Sequence, residues 1–277
     1  LNEQRKTTMN QIKTILLTGA TSGIGLEMAR LLAARGHRLL LASRSADKLE
    51  VVADELRRTK AALVLTCPVD LSSPQATEQL FAFSEARHLE IDVLVNNAGF
   101  GVLEEHVAID SEKLKRMLQL NVIAVAELCQ RYGAEMKRRR QGTILNIAST
   151  AAFQPTPFFA AYGASKSFVL CFSEALAKEL EDHGVSVSCL APGPTDTAFF
   201  DSIDPRRIAG GHYFRKASRT DPRDVATAGV ELLEHGGMTR VVGLTNQLAI
   251  LGNRLVPRQV VAAVSKRLIQ PRALDIA

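Results

Sequence analysis

Three side chains in the second half of the chain have the types and spacing of a proton relay: Ser149, Tyr162 thirteen residues later, and Lys166 four beyond that. On a helix, residues four apart are neighbours, so Tyr162 and Lys166 would share one face. A phenol with an ordinary pKa of about 10 is a poor relay near neutrality unless a cation lowers it. Lys166 offers that cation, and Ser149 offers a hydroxyl that can donate to a substrate oxygen. The chemistry such a set serves is the gain or loss of a proton at an oxygen while hydride reaches or leaves its carbon. Each residue alone reads as structural; together they call for a hydride carrier and a place to hold it.

A place for one lies upstream, in Thr18-Gly19-Ala20-Thr21-Ser22-Gly23-Ile24-Gly25. The glycines permit a tight turn and close approach of a pyrophosphate, whose charge is met by free N–H groups where a helix begins. The loop falls between an apolar run and a helical pattern, the context a dinucleotide site requires. Where a carboxylate would accept from a ribose 2′-OH, the sequence has Ala42-Ser43-Arg44. Arg44 offers a planar cation and Ser43 a hydroxyl, a pair suited to a 2′-phosphate, so the expected cofactor is NADP(H). Asp70, with Leu71 beside it, can accept from an adenine amino group, although an Asp-Leu-Ser helix entry looks the same. Asn96-Asn97-Ala98-Gly99 ends a further apolar run, where small residues let backbone pass close to a flat ring; taken alone it is an ordinary turn.

Positioning these loops requires strands with helices between them. Apolar runs at 12–18, 38–43, 62–68, 91–96, 142–148, 185–191 and 239–243 read as strands. Several, such as Ile15-Leu16-Leu17 and Val93-Leu94-Val95, are continuously apolar, as expected of strands covered on both faces. Helical periodicity fills 23–35, 47–60, 73–87, 111–138, 158–182 and 222–235. In the fourth helix Leu114, Leu118, Val122, Val125, Cys129, Tyr132 and Met136 form one expected buried stripe. This alternation predicts a doubly wound, seven-stranded parallel sheet of Rossmann type in one α/β domain over 11–243, with a helical extension over 244–277. The long connection from Ala198 to Arg219 suggests a substrate lid.

Taken as a set, Thr18–Gly25, Asp70, Asn96–Gly99, Asn121, Ser149, Tyr-Gly-Ala-Ser-Lys at 162–166 and Pro192-Gly193 followed by Thr197 resemble the short-chain dehydrogenase/reductase family, from about Lys13 to Gly243. The resemblance implies that Asn121 holds a water linking Lys166 to solvent. It also implies that the segment after Pro192-Gly193 brings Thr195 and Thr197 to the nicotinamide carboxamide, and that subunits pair as dimers or tetramers through two long helices. Phe100, Leu103, Phe153, Phe159, Phe199 and Phe200 are candidate substrate walls, which favours a hydrophobic carbonyl compound or alcohol. The rival readings are a regulator that binds NADPH without catalysis and a relative that epimerises or dehydrates its substrate.

Composition sets the outer limits. The chain of 277 residues is 46% hydrophobic and 23% charged, with no apolar run near the roughly 18 residues of a spanning helix. Leu1–Asn10 is polar and reads as a disordered leader or an expression remnant, with Met9 a candidate start. Cys67, Cys129, Cys171 and Cys189 lack metal or disulfide spacing and suit buried thiols in the cytoplasm. The net charge of +5 is dispersed, and its one dense run, Lys137-Arg138-Arg139-Arg140, suits a solvated helix end rather than a nucleic-acid surface. In the extension, Leu248, Leu251, Leu255, Val260, Val261, Val264 and Leu268 flank Pro257 among basic residues, the pattern of two short amphipathic helices. They suit a cover for the cleft or a subunit contact, with an interfacial membrane helix as the other reading.

Overall fold

Ile15-Leu16-Leu17 has no solvent face: Ile15 and Leu17 enter one apolar core and Leu16 the other, all three with no exposed surface. The second strand repeats this, Leu39 and Leu41 on one side and Leu40 and Ala42 on the other. In the computed structural model, which describes residues 11–200 and 219–270 and Phe200 by its backbone alone, seven such strands form one parallel sheet. They are β1 (Thr14–Thr18), β2 (Arg38–Ser43), β3 (Leu63–Pro68), β4 (Val93–Asn96), β5 (Gly142–Ile147), β6 (Val185–Ala191) and β7 (Thr239–Val241). The order is β3-β2-β1-β4-β5-β6-β7. One face is covered by α1 (Gly23–Ala34), α2 (Ala46–Arg57) and α7 (Pro222–His235), the other by α3 (Ala76–Glu85), α5 (Ala124–Arg139) and α6 (Ala160–Leu180). The winding reverses between β1 and β4, and the segments leaving their C-terminal ends part to open a crevice, the usual ligand position in such sheets.

The helix expected over 111–138 is interrupted. α4 (Ser111–Leu118) gives way to a wider π turn at Gln119–Ile123 before α5 begins, with the Ala124 N–H donating to Gln119 O. The Asn121 side chain accounts for it: its amide donates to Phe100 O at 2.9 Å and to Ser165 Oγ at 3.1 Å, and its oxygen accepts from Phe100 N at 3.2 Å. One extra residue in the turn rotates α4 by about 100° relative to α5. Met117 is therefore the fully buried residue and Leu118, expected in the stripe, is 38% exposed.

Two further expectations change. Within the basic run Arg139 is tucked in, paired with Glu90 and donating to Ile91 O at 2.8 Å, while Arg140 caps α5 in the left-handed region at φ 56°. Cys67, Cys129 and Cys189 are buried free thiols, but Cys171 lies on the outward face of α6 and is exposed. Beyond β7, α8 (Leu244–Arg254) and α9 (Arg258–Ile269) flank Pro257, which cannot donate and so separates them. Their apolar residues are mostly uncovered: Val261 and Ile250 are buried, whereas Leu244, Leu248, Leu251 and Leu255 are exposed. No described helix is long and apolar enough to cross a membrane.

Leu94→Ala, in the middle of β4 with its side chain fully buried, is expected to cost about 2–5 kcal/mol in urea unfolding. Leu248→Ala, on the uncovered face of α8, is expected to stay within about 0.5 kcal/mol of the parent in the same measurement.

Candidate active site

The glycine loop is held to the β4 end by a dense set of hydrogen bonds. Thr18 Oγ1 accepts from Asn97 N at 3.0 Å and from Ala98 N at 3.1 Å, and the Asn97 amide donates to Thr18 O at 3.0 Å and Gly19 O at 3.1 Å. Asn97 therefore holds loop to strand with its side chain, a role the sequence did not suggest. Gly19 sits at φ +69°, where a side chain is strained, and a methyl on Gly25 would lie 2.3 Å from Gly19 O. Ser22 precedes α1 without a side-chain cap, and the first turn has no acidic residue. Such a bare helix start presents N–H groups and a partial positive charge, so these residues fit a dinucleotide pyrophosphate.

This groove and the relay share one cleft of about 1280 Å³. Of the expected residues, Gly19, Thr21, Ser22, Gly23, Ile24, Ser43, Arg44, Asp70, Leu71, Asn97, Ala98, Gly99, Ser149, Tyr162, Lys166, Pro192, Gly193, Thr195 and Thr197 line it. Gly25 lies behind the loop. Asn121 also lies behind the wall: its amide props the Phe100 backbone and Ser165 of α6. Thr21 and Ser43 hydroxyls are 3.1 Å apart at the groove's end, and Arg44 beside them is exposed with no hydrogen bond or ion pair among the described residues. Asp70 is engaged: it accepts from Ser72 N and Oγ and pairs with Arg116 at 2.8 Å. Burial alone would raise its pKa, but Ser72, Arg116 and Arg44 outweigh burial and hold the carboxyl below its ordinary value. After β6, Thr197 packs on Gly23 and Asn246 of α8 on Gly193, so the return segment lies against the start of α1.

At the floor, α6 brings Tyr162 and Lys166 together, 7% and 6% exposed. Ser149, just past the end of β5, stands beside the phenol, and its Oγ accepts from Ala151 N at 3.1 Å. Lys166 Nζ donates to Ile147 O at 2.9 Å and lies 5.9 Å from the centre of the Tyr162 ring. Gly99 leaves room for both neighbours, since a methyl there would stand 3.1 Å from Asn121 Oδ1 and 3.3 Å from Lys166 Nζ. The Phe159 ring stacks on Tyr162 at 4.2 Å, and Phe199 tilts against it at 5.3 Å.

These apolar neighbours reverse the direction expected for the phenol. Burial pushes Tyr162 up to about 12, against the lowering effect of the neighbouring Ser149 hydroxyl. Burial likewise lowers Lys166 to about 8. Both shifts have one cause, the cost of charge away from water, and both favour the neutral form.

Phe100, Phe159 and Phe199 line the cleft as expected; Leu103 packs behind it and Phe153 walls a smaller side pocket, while the Phe200 side chain and the suggested lid from residue 201 to 218 lie outside the described residues. The sequence reading missed Gln154, Thr156, Asn246 and Asn253, and of the apolar wall Ile250 and Val256; Val260, Val261, Val264 and Leu268, read as a cover for the cleft or a subunit contact, line the cleft. The signal available was their apolar spacing, which places them on helix faces without saying what those faces meet.

Comparison with known proteins agrees with this arrangement. A family model described as short chain dehydrogenase matches residues 13–207. The mouse 17-beta-hydroxysteroid dehydrogenase type 3 is 32% identical over 205 residues, which cover 73% of this chain and 67% of that protein. A short-chain dehydrogenase from Sphingobium yanoikuyae, solved in complex with NADPH, superposes with a TM-score of 0.77 at 27% identity over 96% of this chain and all of that one. The bulky-bulky ketone specific alcohol dehydrogenase from Comamonas testosteroni has a TM-score of 0.74 at 26% identity, over 95% of this chain and 98% of that one. With the glycine loop, the sheet order and the Ser149-Tyr162-Lys166 cluster in place, this chain belongs to the short-chain dehydrogenase family, oxidoreductases that act on alcohols and ketones with a nicotinamide cofactor.

Proposed function

We propose that the protein is an NADPH-dependent oxidoreductase that interconverts a carbonyl and a secondary alcohol on a hydrophobic substrate. The observation that carries this reading is the Tyr162 phenol, buried on the floor of the cleft that also contains the glycine loop, with the Ser149 hydroxyl beside it. NADPH, when bound, supplies the hydride.

The chain's own groups manage the oxygen. Tyr162 donates its O–H proton to the substrate oxygen, and Ser149 donates a second hydrogen bond that fixes and polarises the carbonyl. A phenol held near 12 is fully protonated at neutrality, so the site is loaded for reduction; oxidation of an alcohol requires it first to lose that proton. Lys166 is the nearby group able to carry positive charge against a developing phenolate. Asn121 keeps α6 and the Phe100 backbone in register and, in this reading, completes the return path for the proton. Phe159 and Phe199 keep water from the ring, which sharpens every charge interaction at the oxygen.

The choice of NADPH rests on Arg44, an exposed guanidinium at the groove's end that makes no hydrogen bond or ion pair among the described residues, beside the Thr21 and Ser43 hydroxyls and with no carboxylate at the end of β2 to repel a 2′-phosphate. The substrate class rests on the apolar wall that α8 and α9 add to the aromatic one.

Tyr162→Phe is expected to lower carbonyl reduction by about a thousandfold, the middle of the range for loss of a proton donor, while NADPH affinity by calorimetric titration stays nearly unchanged. Undiminished turnover would discard the mechanism. Arg44→Ala is expected to bring NADPH affinity down to that for NADH, a loss of about tenfold or more for a charge-assisted contact.

Lys166 gives a pH prediction for the nucleotide-free protein. Its folded pKa, about 8, is below the ordinary value of about 10.4. Between those values the unfolded chain binds the extra proton, so stability rises with pH across that window and the full cost of burying the lysine is felt below it. Tyr162 acts only above its own ordinary value of about 10. Urea unfolding of wild type and Lys166→Met at pH 7.5 and 9.5 should show the wild type gaining on the variant as pH rises; parallel curves would refute the assignment.

A further inference from the structure

From Leu244 to Gln270 the chain has four cations, Arg254, Arg258, Lys266 and Arg267, and no acidic residue. Among the described residues the Arg254 and Arg258 side chains have no hydrogen bond or ion pair. Both line a side pocket of about 260 Å³ whose other walls include Phe153, Pro155, Ile250 and Val261. Ile250, Asn253 and Val261 also face the main cleft, so the two spaces lie back to back along α8 and α9. Asn253, where they meet, donates to Gln154 Oε1.

Helix stability accounts for Arg254, a cation in the last turn of α8, but not for Arg258. Arg258 is the first residue of α9, where the positive end of the dipole opposes a cation, and neither a capping side chain from Pro257 nor an acidic residue in the first turn offsets it. Arg254 closes α8 four residues earlier, adding a second guanidinium to the same pocket. Two arginines and a bare helix start thus border one pocket with apolar walls, which is the chemistry of an anion attached to a hydrocarbon body.

We infer that the side pocket binds the anionic end, a carboxylate or a sulfate or phosphate ester, of an amphiphilic substrate whose apolar body extends past Ile250 and Val261 toward Tyr162. This rests on Tyr162 being the reacting group. In that position the arginines are specificity-determining residues, and charge at the far end of the molecule selects among otherwise similar ketones.

The test is calorimetric titration of the full chain, saturated with NADPH, with decanoate below its micelle-forming concentration and with decanamide as the uncharged control. The same is done for R254Q, R258Q and the double variant, each checked for wild-type NADPH affinity. Decanoate is expected to bind at least about tenfold more tightly than decanamide, and the double variant to lose that preference. Equal binding of the two in wild type, or a preference that survives both substitutions, overturns the inference. So does binding to phosphatidylglycerol vesicles with monomeric decanoate ignored, which would assign the cations to a membrane face. A kinetic arm compares 5-oxodecanoate with its amide. A lower KM for the acid, lost in the double variant at similar kcat, supports the pocket, and equal KM values overturn it. Decanoate preference without reduction of either ketone leaves the pocket standing and strikes the reductase reading alone.

Discussion

Everything that makes the cleft a site depends on the bond set joining the ends of β1 and β4. Thr18 Oγ1 accepts from the Asn97 and Ala98 backbone N–H groups, and the Asn97 side-chain amide donates to Thr18 O and Gly19 O, so the glycine loop hangs from its neighbour strand as well as from its own. The absence of a side chain at Gly25 lets α1 start close against that junction, because Gly19 O and the Asn97 amide already occupy the space a methyl would take. The free N–H groups of the helix start are thereby fixed in a rigid frame rather than carried on a loose turn, which is what recognition of an anion without reorganisation requires.

From that frame outward, the site is governed by burial. The same exclusion of water that pushes the Tyr162 phenol up and the Lys166 ammonium down sets the protonation states the chemistry starts from. The support beneath is polar and mostly paired: Asn96 donates to Asn146 at 2.8 Å, and Asn146 to Ser173 at 2.9 Å, linking β4, β5 and α6 inside the second core, with Asn96 Oδ1 left without a partner. Such a buried network, with its members paired to one another, holds one arrangement of strand ends and helix better than apolar contacts alone, because sliding any member strands a polar group.

The sheet and the catalytic cluster could be read from the sequence because their signals are local. Ile15-Leu16-Leu17 is apolar whichever helix covers it, and a four-residue spacing puts Tyr162 and Lys166 on one face of any helix. What escaped depends on distant partners. The π turn at Gln119–Ile123 follows from Asn121 meeting Phe100, and no periodicity in the helix announces it. The direction of the Tyr162 shift depends on Phe159 and Phe199 closing over the ring. The apolar faces of α8 and α9 suit a cleft cover, a subunit contact or a membrane surface in sequence, and only the chain's return after β7 shows which of their residues face the cleft.

The strand order has a consequence for how the protein comes into being. β1 is central, but its second neighbour arrives late: Asn97 follows Thr18 by 79 residues. A chain emerging from the ribosome can pair β1 with β2 and β3 early, leaving one edge of β1 and the side of Leu16 uncovered until Val93–Asn96 and then α5 have been made. Long-range parallel pairing is slow, and an open apolar edge is what other chains add to. The junction that shapes the nucleotide groove is thus also a late event in folding, and the nascent chain is most prone to association just before it forms.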